Sequence, residues 1–194
     1  MLLRLLVLTL TAVICGWRAM DHGLLADDAR VFWWMGSVSH PVIYLDGRFV
    51  DYVVKWTLWN LFEHHPGAFH VLQIGLHLLV VNELMRVSRS LRINGSIAAV
   101  VGLLSGVSPV YYEALYWLQC IGYMYPSICF LLPIRFFIRH LHNGKLLLLV
   151  SALVLFFVAC GTVEFMWPLC VVFPLLHWHF VSNHQLQTPL PFDC

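Results

Sequence analysis

The sequence predicts an all-α polytopic membrane protein with about six transmembrane helices, each about 20 mostly apolar residues long. Composition comes first: of 194 residues, 60% are hydrophobic and 11% charged, and the mean hydropathy is +0.79, well outside the range of water-soluble domains. The second observation is spacing, because apolar stretches recur along the chain between short basic or aromatic connectors. The third is a lack of strand-like alternation, so the lipid-embedded backbone must satisfy itself as helix. A net charge of +1 gives no reason to expect nucleic acid as a partner.

The expected spans are Leu2 to Trp17, Phe69 to Met85, Ile97 to Val110, Leu115 to Phe137, Leu146 to Val163 and Phe165 to Val181. The first, with Arg4 ahead of a short apolar stretch and small residues, also has the look of a signal peptide. Basic residues in short loops resist translocation. Arg86, Arg89 and Arg92 follow the second span, and Arg135, Arg139 and Lys145 fall between the fourth and fifth. Those two loops are therefore expected on the cytoplasmic side with the N-terminus. Residues 1–182 read as a single transmembrane domain with an outer loop over 18–66, and 183–194 as a short cytoplasmic tail.

The outer loop carries "RVFWWMGSV" and "FVDYVVKWTLWNLF", with Trp33, Trp34, Trp56 and Trp59 among polar residues. That pattern fits interfacial helices in the headgroup layer. His40-Pro41 and Asp46-Gly47 punctuate the loop as turns. Cys15, Cys129, Cys160 and Cys170 lie in apolar runs and read as small packing residues.

This topology puts Asp21, Asp27, Asp28, Asp46, Asp51, Glu63, Glu113 and Glu164 on the outer side, and only Glu83 and Asp193 on the inner side. Asp46, Asp51 and Glu63 read equally well as ordinary loop charges. Glu113 and Glu164 sit in apolar sequence at expected membrane boundaries, where an ionisable group is costly and marks a functional candidate. His70 and His77 share one helix face with Gln73, two turns apart. Eleven histidines raise haem and zinc readings, but Glu63, His64, His65 and His70 have the spacing of no closed site, and His77 has no evident axial partner. His140 and His142 are expected in a wet cytoplasmic loop.

"LSGVSPVYYEALYWLQCIGYM" resembles a segment of the GT-C superfamily of polyprenyl-phosphate-sugar-dependent glycosyltransferases, and "HVLQIGLHLLVVNEL" resembles the His-rich span that precedes it in protein O-mannosyltransferase-like members. Asp27-Asp28 matches in position the acidic pair of their first outer loop, and "LDGRFV" their Gly-Arg element. The resemblance runs from about Leu24 to Pro174, and order and spacing carry it. It implies that Asp27 or Asp28 is the catalytic base and that the second Asp holds the acceptor or a divalent cation, Mg2+ or Mn2+. It also implies that Glu113 and Glu164 line the same cavity, near His70, and that Arg48 and Arg30 neutralise the donor phosphate. The implied partners are a polyprenyl-phosphate-linked sugar, an unspecified acceptor and the lipid bilayer, and the implied place is a bacterial inner membrane.

Val163 stands before Glu164 where relatives often carry Lys, and Gln73 where they often carry Asn. The superfamily usually has more spans. A non-enzymatic reading therefore stays open: a truncated or inactive relative, or a lipid-handling or assembly subunit.

Overall fold

The computed structural model describes residues 2–19, 37, 48–62, 65–108, 115 and 120–182, the side chains of 17–19, 66, 164 and 165 excepted. The described residues are all-helical and contain no strand. Among the described residues the α-helices are α1 (Leu2–Ala19), α2 (Phe49–Phe62), α3 (Pro66–Ser90), α4 (Gly95–Gly106), α5 (Ile121–Asn143), α6 (Leu146–Cys160) and α7 (Val172–Ser182), with a 3₁₀ stretch (Glu164–Val171) leading into α7.

Two tight connections set the topology. Between α3 and α4, Ile93 N–H donates to Ser88 O and Arg92 N–H to Arg89 O, the paired bonds of a Schellman ending. Arg92 takes the left-handed position at φ 63°, where glycine is the usual occupant. Asn94 then caps α4, its side chain accepting from Ser96 N–H at 2.8 Å. Between α5 and α6 the left-handed residue is Gly144, φ 66°, whose N–H closes on His140 O. With loops this short, α3/α4 and α5/α6 run as antiparallel hairpins. α3 packs against α4 and α5, α1 lies in the angle between α3 and α4, and α7 returns along α5.

Two helices, Gly67–Ser90 and Ile121–Asn143, are long and apolar enough to cross a membrane, whereas Leu2–Gly16, Gly95–Gly106, Leu146–Cys160 and Met166–Ser182 are shorter apolar helices. The physical limit is reach: α4, with 12 residues, rises about 18 Å, and α6, with 15, about 23 Å, against a hydrocarbon core of about 30 Å. The third expected span is thus shorter than its hydropathy implied. The fourth runs on past Phe137 to Asn143, so Arg139, His140 and His142 are helical rather than in a loop, as is Arg135. His142 is not in a wet loop: its ring stands edge-on to Phe180 at 5.3 Å.

The interior is more polar than its cladding. His70 and Gln73 are fully buried, whereas Leu147 is 76% and Phe157 61% exposed. Apolar packing is divided among small separate clusters, such as Val7, Val81, Met85 and Ala99 between α1, α3 and α4, and Val87, Ile134, Ile138 and Phe180 between α3, α5 and α7. Close helix approach supplies the rest. Gly102 and Gly106, four apart on α4, admit Met85 and Thr11 against the backbone, the small-xxx-small device of membrane helices. The motif is legible in the sequence as "GLLSG".

Candidate functional site

α2 fixes one end of the bundle. Val50 N–H donates to Gly161 O at 2.9 Å, so the start of α2 is pinned to the turn after α6. A Cβ on Gly161 would lie 2.7 Å from the Phe49 ring; the approach requires glycine. Arg48, half-buried just before α2, lends its carbonyl to Tyr52 N–H at 3.2 Å. Three residues past Gly161, Glu164 opens the 3₁₀ stretch. Two of the sequence-derived candidates, Arg48 and Glu164, thus belong to backbone segments that meet although 116 positions separate them.

Asp51 docks the same helix onto α5. Its residue is buried, Lys55 Nζ is 2.8 Å from Oδ2, and the Tyr125 hydroxyl donates to Oδ1 at 2.8 Å. A Cβ on Gly122 would lie 2.5 Å from Oδ1. The loop-charge reading of Asp51 fails: a buried carboxylate needs a counter-charge and a donor, and it has both. Lys55 lies one helical turn on and was legible as an i, i+4 partner, but Tyr125 was not, because only folding brings α5 there.

His70 is the candidate the bundle buries most completely. Its Nδ1 is 3.3 Å from Leu115 O, two residues along the chain from Glu113. A carbonyl only accepts, so Nδ1 carries the proton. His77, on the same face as expected, stands 2.8 Å through Nε2 from Gly106 O, and Cys15 Sγ donates to that oxygen at 3.2 Å. Gly106 ends α4, where carbonyls lose their intrahelical donors. In apolar surroundings α1 and α3 must supply replacements, and His77 and Cys15 do.

At the opposite end, near the α3/α4 and α5/α6 turns, Glu83 holds Arg86 Nη1 at 2.9 Å and Arg135 Nε at 3.0 Å. The second contact is a charge contact without hydrogen-bond alignment. Beside them Arg4 Nε donates to Asn82 Oδ1 at 2.5 Å. Glu83 was not among the candidates, yet an ionisable group inside "VVNELMRV" is the signal that singled out Glu113 and Glu164.

Asp27, Asp28, Arg30 and Glu113 lie outside the described residues, as do His40-Pro41, Asp46-Gly47 and the Trp33-Trp34 stretch. Of Glu164 only the backbone is described. Among the described residues no three of His, Cys, Asp and Glu gather as a metal would require. Cys15 and Cys160 are buried packing residues, whereas Cys170 is exposed.

No family model, no curated protein and no solved structure matches the chain.

Proposed function

We propose that the chain is a polytopic membrane protein of GT-C type, with about six helices embedded in a bacterial inner membrane, that transfers sugar from a polyprenyl-phosphate donor on the non-cytoplasmic face. Embedding is supported by the exposed leucine and phenylalanine surface of α1 and α6 around a buried polar interior, the inverse of what water selects. The 3₁₀ stretch of 8 residues and α7 of 11 together rise about 32 Å, enough for one crossing. A working surface at the α2 end is supported by one observation above all: the Val50 N–H to Gly161 O bond of 2.9 Å. It draws the Arg48 segment to the segment leading into Glu164, as a site built from distant motifs requires.

In this reading Asp27 or Asp28 takes the proton from the acceptor hydroxyl as its oxygen attacks the anomeric carbon. The bond from that carbon to the lipid-phosphate oxygen breaks, the phosphate leaves with the electron pair, and the centre inverts. Arg48 and Arg30 are the cations offered to the leaving phosphate. Mg2+ or Mn2+, if used, would be held by the second Asp of the pair. The test is transfer of labelled sugar from a polyprenyl-phosphate donor by purified wild type, Asp27→Asn and Asp28→Asn. Loss of the base lowers turnover about 10²- to 10⁴-fold; equal turnover in all three removes the mechanism.

One observation favours the non-enzymatic reading. Asp51 and Glu83, the carboxylates with described side chains, are both engaged in contacts that join helices, Asp51 through the Tyr125 hydroxyl and Glu83 through Arg135, as in a structural or lipid-handling subunit. No sugar transfer by a folded wild-type protein across a panel of donors decides for it.

A further inference from the structure

The end of the bundle remote from α2 carries a charge imbalance. Arg4 lies in the repelling fields of Arg86 and Arg89 and the attracting field of Glu83, and Arg135 in those of Arg4, Arg86, Arg139 and Glu83. Five guanidinium groups from α1, α3 and α5 therefore share this end with one carboxylate, the only one described there, and two of them, Arg86 and Arg135, contact it. Helix dipoles do not make up the difference: α1, α4 and α6 begin here and α3, α5 and α7 end here, so the partial charges of about +0.5 and −0.5 at the ends cancel. Arg4 is half-buried, Arg86 is 34% exposed and Arg135 is 10% exposed at its side chain. Salt solution screens such a cluster poorly.

The rim of the cluster is apolar. Leu2, Leu3, Leu5 and Leu6 flank Arg4 on the first turns of α1 and are exposed, as are Leu146 and Leu147 beside the neighbouring turn. A ligand that meets both features has an anionic head and hydrocarbon tails. We propose that Arg4, Arg86 and Arg89, set around the Glu83–Arg135 pair, bind the phosphate-bearing headgroup of an anionic phospholipid whose tails lie on the leucine face of α1. Guanidinium forks suit phosphate oxygens, and basic pockets between membrane helices on the cytoplasmic side bind such headgroups. The proposal rests on the membrane reading above, not on glycosyl transfer.

The test uses full-length protein in neutral detergent, with phosphatidylglycerol or phosphatidylcholine added and bound lipid counted by native mass spectrometry. Wild type is expected to retain phosphatidylglycerol preferentially. Arg4→Gln/Arg89→Gln removes two arginines that form no ion pair with Glu83 and should lower retention about fivefold per arginine. Lys145→Gln, an exposed cation at the same end, should not. If the double variant fails to elute as a folded species, Arg89→Gln alone gives the reading. Equal retention of the two lipids by wild type, equal loss in Lys145→Gln, or displacement of the lipid by excess inorganic phosphate overturns the proposal. Failure of wild type to stay in alkali-washed membranes sinks the membrane reading instead, which separates the two.

Discussion

Arg135 Nε stands 3.0 Å from Glu83 Oε2, joining α5 to α3 through two side chains that are 10% and 6% exposed. The contact links the two helices that are long enough to cross a membrane, so it bears on the whole packing order. Removing one partner leaves the other charged and uncompensated, which costs about 3–5 kcal/mol for a buried pair. Glu83→Gln should cost the most, because it strips both Arg86 and Arg135 of their counter-charge. Arg135→Met should cost less, since Glu83 keeps Arg86. In Glu83→Gln/Arg135→Met the loss should fall below the sum of the single losses. Thermal unfolding in detergent, followed by far-ultraviolet circular dichroism, measures all of these; additive losses would show that the pair carries no coupling.

Gly122 and Gly75 are both helical glycines with opposite expected responses to a methyl group. A Cβ at Gly122 meets Asp51 Oδ1 at 2.5 Å and Lys55 Nζ at 3.1 Å, whereas one at Gly75 meets nothing within 4 Å. Gly122→Ala should therefore push α2 off α5 at a cost of about 1–3 kcal/mol. Gly75→Ala should stabilise α3 by about 0.5–1 kcal/mol. Hydrogen exchange reads the first directly: amides of residues 49–62 should exchange faster in Gly122→Ala and unchanged in Gly75→Ala. Unaltered protection of α2 in Gly122→Ala would mean that the docking of Asp51 is not what holds this helix.

His77 is expected to act as a donor to a helix end rather than as a ligand. His77→Leu leaves Gly106 O with Cys15 as its remaining described donor, and an under-satisfied buried acceptor costs about 1–3 kcal/mol. His77→Gln, which keeps an N–H, should recover part of that loss. Urea or dodecyl sulfate titration of the three proteins gives the ordering; a His77→Leu protein as stable as wild type would show that the bond contributes nothing.

Much of the site lay beyond sequence reasoning for an identifiable reason. The shared face of His70, Gln73 and His77 follows from helical spacing alone, and their burial confirmed that this face points inward. What each ring bonds to could not be read, since Gly106 and Leu115 belong to other elements and act through backbone carbonyls, which carry no side-chain signature. Glu83 and Arg86 were legible as an i, i+3 pair, but the third member, Arg135, reaches them only because α5 packs along α3. Position in a long loop left Asp51 open between a solvated charge and a buried one, and only the docking of α2 on α5 buries it.

Composition and periodicity by themselves determined that the described residues of this chain form helices and no strand, that it carries segments fit to cross a membrane, and that His70, Gln73 and His77 share one helix face. Those properties follow from each residue's own preference for water or hydrocarbon and from the helical repeat, which are local. Tertiary structure alone decided which opposite charges meet across helices, which carbonyls receive a second donor and where α2 is fastened. Contacts such as that of Val50 with Gly161, 111 positions apart, depend on helix length, turn geometry and the room left by Gly122 and Gly161, and no local property encodes their sum.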